Sequence, residues 1–127
     1  VGNVNIAYSL YELESNNSLS VTSSALRRSG ALLKVFFESG MIGYADCHPW
    51  PELGDLPLKQ QLNRLIQGKL TSVTQCALEF AKLDAEARSK KTRILEQQPV
   101  PCSHFLVTYL LDWTPQHVQQ VIQQGYT

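Results

Sequence analysis

Apolar residues at Val4, Ile6, Tyr8, Leu10 and Leu13 fall close to strict alternation, the period of a strand with one buried face. Positions 15–29 break that rhythm. They are rich in Ser and Asn, with Leu19, Val21 and Leu26 as the sizeable apolar residues and Arg27-Arg28 near the end, so the pattern predicts a long loop. Gly30 then opens a β-favouring run over 31–38, Ser39-Gly40 signals a turn, and 41–47 reads as a third strand. An antiparallel three-stranded meander follows from this order.

Past residue 50 the period changes. Asp55 is placed to cap a helix with Pro57 in its first turn, where a missing N–H costs little, and Leu58, Leu62, Leu65 and Ile66 share one face up to Gly68. Thr71 or Ser72 can cap a second helix that ends near Lys91. Its predicted apolar stripe is Val73, Cys76, Ala77, Phe80, Leu83, Asp84 and Ala87, with Glu79, Lys82, Glu86 and Lys90 facing water. Pro99 and Pro101 mark a boundary. The segment 104–110 predicts a buried strand, and Thr114-Pro115 an N-cap and first helical residue, followed by an apolar edge of Val118, Val121 and Ile122 and a stop at Gly125. A strand, a loop and a helix make half of a βαβ unit, and a lone parallel strand has nothing to pair with. The pattern thus divides the chain into an α+β unit over 1–98 and the incomplete start of a β/α barrel over 99–127. The unpaired strand edge near Val107 could join a second copy of such a fragment.

Composition narrows the function. With 127 residues, 43% apolar and 17% charged, the chain has the make-up of a folded domain rather than a disordered segment. Eleven basic and eleven acidic residues cancel, which leaves no field to gather nucleic acid or anionic lipid. Neither is expected as a partner. Cys47, Cys76 and Cys102 are odd in number, widely spaced and without a C-x-x-C, so they predict reduced thiols in a cytoplasm and not a disulfide framework or zinc ribbon.

Candidate chemistry gathers where the third strand runs into a Pro-rich loop, Cys47-His48-Pro49-Trp50-Pro51-Glu52. Proline limits φ and removes backbone donors, so Pro49 and Pro51 hold Trp50 in a narrow range of directions, as suits a pocket rim. His48 beside Cys47, with Glu52 and Asp55 close by, allows a metal site or a thiol–imidazole pair on paper, yet neighbours at a strand end point to opposite faces. Arg28 carries a fork that suits a planar carboxylate, while a solvated loop arginine is the plainer reading. Asp84, alone on an apolar stripe, predicts a buried cap or hydrogen-bond partner. His104 and His117 lack ligand spacing and predict surface or cap positions, and the glutamines from Gln116 to Gln124 a solvated helix face.

Three stretches together carry a resemblance. Arg28-Ser29-Gly30 leads into a strand. Gly43-Tyr44-Ala45-Asp46-Cys47-His48-Pro49-Trp50-Pro51 stands where a Gly-Trp-Gly-Glu-x-Ser-Pro-Leu-Pro motif is usual, and Ala77-Leu78-Glu79-Phe80-Ala81-Lys82-Leu83-Asp84-Ala85 forms an Ala-rich helix. With the element order, these resemble the N-terminal region of the enolase superfamily, and within it the o-succinylbenzoate synthase family, over essentially the whole chain. The resemblance implies an α+β capping domain that closes over a barrel mouth and selects a small carboxylate substrate through loops at about 19–29 and 47–55. Arg28, Ser29, His48, Pro49 and Trp50 become the candidate substrate-binding residues. It also implies magnesium and a lysine base, in a dehydration that belongs to menaquinone synthesis, with the catalytic lysines and metal carboxylates beyond residue 127. No catalytic or metal-binding residue is assigned within the chain, which is expected to be inert by itself. Asp46, His48 and Glu52 depart from the family's Glu, Ser and Gly. A racemase, epimerase or cycloisomerase of the same superfamily fits the same cap, and a free-standing α+β interaction module that grips a protein partner with its Pro/Trp loop is the reading from another class.

Overall fold

A computed structural model describes residues 4–15, 27–96, 98–99, 101–105 and 113–126. Three strands, β1 (Asn5–Glu14), β2 (Arg27–Phe36) and β3 (Ile42–Cys47), form one antiparallel sheet in the order β1-β2-β3. Two helices, α1 (Leu58–Ile66) and α2 (Ser72–Ser89), follow the Pro-rich loop, and α3 (Pro115–Gln123) comes last. The meander and its helices make the α+β fold expected from the pattern. The loop at 16–26 and the strand expected within 104–110 lie outside the described residues, apart from His104 and Phe105, which are not in a strand.

The core sits between one sheet face and the helices. Ala31, Leu33 and Val35 of β2 alternate toward it and are at most 1% exposed, joined by Cys47, by Leu62 and Leu65 of α1, and by Ala77 and Ala81 of α2. The central strand starts earlier than the sequence pattern suggests. Arg27, Arg28 and Ser29 continue β2 because β1 is long enough to pair with them, opposite Glu14, Leu13 and Glu12. Arg28 is therefore a strand residue, 8% exposed, and not a solvated loop arginine.

Helix α2 differs most from expectation. Its buried residues are Thr74, Ala77, Ala81 and Ala85, spaced three and then four apart on one face, whereas Phe80 and Leu83 are 55% and 48% exposed. The reason is a close approach to the sheet. At Gly43 of β3 a side-chain Cβ would lie 1.8 Å from the Ala81 carbonyl oxygen, so the helix backbone rests almost directly on the strand and only small residues fit between them. Asp84 secures this contact: its carboxylate accepts the Tyr44 N–H at 2.9 Å and the Arg88 Nε–H at 2.6 Å. The single carboxylate on the stripe is thus a hydrogen-bond partner, here for a strand and not for a loop.

The helix starts are built from side chains. Thr71 and Thr74 form a reciprocal capping box on α2, and the Thr71 hydroxyl also bonds the Gln61 amide oxygen. Gln61, 1% exposed, donates in turn to the Leu56 carbonyl at 3.0 Å. This buried amide has partners at both ends and ties α1 to the start of α2. Thr114 and His117 repeat the box on α3, with the His117 Nδ1 accepting the Thr114 N–H, so His117 is a cap as expected. Asp55 does not cap α1. Pro57 occupies the N-cap position without a side-chain bond, and the Asp55 carboxylate turns back to the loop before it.

Candidate functional site

The Pro-rich loop is fixed by its own backbone. The Trp50 N–H donates to Asp55 Oδ2 at 2.8 Å, and the Trp50 carbonyl accepts the N–H groups of Leu53 and Asp55 at 2.9 and 3.3 Å. Pro51–Leu53 make one 3₁₀ turn, closed by Gly54 at φ +105°. Both polar backbone groups of Trp50 are engaged, so the direction in which its side chain leaves the backbone is set before any side-chain contact forms.

Arg28 supplies that contact from the sheet. Its guanidinium carbon lies 3.6 Å from the centroid of the Trp50 ring, and Nη1 forms an ion pair with Glu52 Oε1. Stacking on an aromatic face while pairing with a carboxylate uses the planar fork in a way an ammonium could not. Arg28, Trp50 and Glu52 thus lock the rim loop onto the end of β2.

A second lock lies beside it. Tyr11 of β1 is opposite Gly30 of β2, and its ring lies on that glycine: a Cβ there would come within 2.2 Å of the Tyr11 ring and hydroxyl. The missing side chain lets the phenol reach across β2 to β3, where its Oη is 2.8 and 2.9 Å from the two Asp46 carboxylate oxygens and 2.7 Å from His48 Nδ1. The Tyr11 and His48 rings stack with centroids 5.8 Å apart. Burial, then the hydrogen bond to Asp46 and its charge, push the Tyr11 hydroxyl up to about 12, so it stays protonated.

These locks flank two concavities. One of about 600 Å³ lies between the ends of β1 and β2 and the loop, lined by Tyr11, Arg28, Ser29, Pro49, Glu52 and Leu58 among others. The other, about 640 Å³, runs between β3 and α2 and includes Asp46, His48, Cys76, Phe80 and Ile94. The structure therefore brings Arg28, Ser29 and Pro49 together, stacks Trp50 beneath Arg28, and turns His48 to a different cleft. Tyr11 is the link between the two, and nothing in the candidate set drawn from sequence included it.

No metal or thiol chemistry emerges from the loop. Cys47 is buried in the core, while His48, the next residue, turns to Tyr11 and lines the β3–α2 cleft. Burial, then the nearby charges of Asp46 and Asp55, push the Cys47 thiol up to about 11, the wrong direction for a nucleophile. Among the described residues no group of three or more His, Cys, Asp and Glu side chains is gathered so as to hold a metal ion.

Residues 6–87, which span the sheet, the rim loop and nearly all of α2, match the family described as O-succinylbenzoate synthase, N-terminal domain. The chain belongs to this family. It is also 35% identical over 123 residues to an o-succinylbenzoate synthase of Bdellovibrio bacteriovorus, an alignment that covers 97% of the chain and 37% of that protein. The chain thus spans little more than a third of the length of the curated relative it matches. As a member of the o-succinylbenzoate synthase N-terminal family it is a capping region of the enolase-superfamily type. Among the described residues no helix is long and apolar enough to cross a membrane.

Proposed function

We propose that this chain is the substrate-enclosing cap of a cytoplasmic, magnesium-dependent o-succinylbenzoate synthase, a lyase that dehydrates a small carboxylate substrate in menaquinone synthesis. The observation that carries this reading is the alignment of 97% of the chain with a synthase at 35% identity. The geometry supports it through the rim. A cap must present the same walls to each substrate molecule, and Trp50 is held by its own backbone, by Arg28 and by the turn after it.

In this reading the substrate-facing walls are Ser29 and Pro49 in one cavity and His48 in the neighbouring β3–α2 cleft, Trp50 stands at the rim, and Arg28 shapes the rim by fixing Trp50. The segment 99–127 begins the barrel. Residues outside this chain would hold magnesium, and with them the lysines that move protons, so no step of the reaction is assigned to the cap. Removing a proton next to a carboxylate requires base and counter-charge together, and the cap alone is therefore inert. The test is an assay of o-succinylbenzoate formation by the enzyme that carries this chain and by the chain alone. Turnover by the first and none by the second is expected. No product from the whole enzyme overturns the reading.

A further inference from the structure

The Tyr11 hydroxyl has one proton and two demands on it. It sits 2.8 and 2.9 Å from the oxygens of the Asp46 carboxylate and 2.7 Å from His48 Nδ1. If the proton pointed at His48, the phenolic oxygen would face a carboxylate at hydrogen-bond distance with nothing between them, two electron-rich oxygens in contact. If it points at Asp46, the carboxylate is satisfied, and the phenol lone pair is free to accept from an Nδ1–H. The second arrangement satisfies all three groups. In the neutral imidazole it leaves the other ring nitrogen, Nε2, without a proton.

We infer that Tyr11 and Asp46 are positioning residues that hold His48 as its Nδ1–H tautomer, so that the imidazole, which lines the β3–α2 cleft, offers an unprotonated Nε2 as a hydrogen-bond acceptor suited to a ligand hydroxyl and unsuited to a carboxylate. The ligand half of this inference rests on the proposed synthase function, whereas the tautomer does not. Three features converge on it. The glycine at position 30 is needed for the Tyr11 ring to lie where it does. The 2.7 Å contact at Nδ1, with the two rings stacked, orients the imidazole. His48 also precedes the Pro49-Trp50 rim directly, so fixing its ring fixes where the rim leaves the sheet.

The experiment is nitrogen-15 spectroscopy of histidine-labelled protein at mildly alkaline pH, with His48→Gln used to assign the resonance. Long-range proton–nitrogen correlations separate a protonated Nδ1 from a protonated Nε2. A protonated Nδ1 on His48 is expected in the wild type, and an Nε2–H form in the wild type overturns the inference without any variant. Tyr11→Phe keeps the ring on Gly30 and removes only the hydroxyl, so it should fold and release His48 toward the Nε2–H form that free imidazole side chains favour. An unchanged tautomer overturns the positioning role. In the enzyme carrying this chain, Tyr11→Phe should raise KM for the synthase substrate about tenfold with kcat within about twofold, the mark of lost uniform binding. A changed tautomer with unchanged KM overturns the hydroxyl-acceptor role. Absence of turnover in the wild-type enzyme overturns the synthase reading, and the tautomer measurement then decides the positioning role alone.

Discussion

The guanidinium of Arg28 lies 3.6 Å from the centre of the Trp50 ring, joining the first residues of the central strand to a loop more than twenty positions later. This contact turns two residues that look like independent substrate-binding candidates into one unit. Arg28 reaches the rim by being buried, with its charge matched by Glu52.

Arg28→Lys should therefore act as a disruptive change and not a conservative one. Lysine keeps the charge but cannot stack its head group flat on the indole while pairing with Glu52, and a buried ammonium is harder to desolvate. A loss of about 2 kcal/mol in urea unfolding is expected. A double-mutant cycle of Arg28→Ala and Trp50→Ala should give a coupling energy of about 1 to 2 kcal/mol. Additive effects would mean that the stack contributes nothing.

Gly43→Ala should be among the most damaging single substitutions in the sheet. The new methyl would sit 1.8 Å from a backbone oxygen of α2, and a backbone cannot swing aside as a flexible side chain can. We expect a loss of about 3 kcal/mol or an insoluble product, measured by denaturation of purified protein. Gly40→Ala, in open space at φ +80°, should cost only about 1 kcal/mol.

Alkaline pH should destabilise the fold through two residues. Cys47 rises from an ordinary 9.0 to about 11 and Tyr11 from 10.0 to about 12, so in both cases the folded protein holds its proton where the unfolded chain releases it. A raised folded value means stability is complete below the unfolded value and lost as pH climbs to the folded one. The window runs from about pH 9 to 12. Unfolding midpoints measured across it should fall, and Cys47→Ala and Tyr11→Phe should each remove part of the fall. At neutral pH an alkylating reagent should modify exposed Cys76 and Cys102 and spare buried Cys47.

Strands and caps were legible in the sequence because they depend on local chemistry: alternation in β1, a β-favouring run in β2, Thr71 and Thr114 as N-caps, Gly40 and Gly125 at turns. What escaped it depends on contacts between distant segments. Phe80 and Leu83 read as core until the closeness of α2 to Gly43 gives the inner row to alanines. Asp55 reads as a helix cap until its carboxylate is seen to close on the Trp50 N–H. Tyr11 carried no signal of its own, since an aromatic on a strand is ordinary. The one available hint was a glycine inside a β-favouring run at position 30, which a cross-strand partner could exploit. The rim residues Pro49 and Trp50 were legible from covalent geometry alone, but the division of Pro49 and His48 between two clefts was not.

Steady-state kinetics of o-succinylbenzoate formation by the enzyme that carries this chain, wild type against Trp50→Ala, is the most direct test of the cap assignment. The account predicts product from the wild type and a fall of at least about tenfold in kcat/KM for the variant, since a rim that positions substrate controls this ratio. Robust turnover with kcat/KM unaltered by Trp50→Ala, or no product from the wild type, would contradict it.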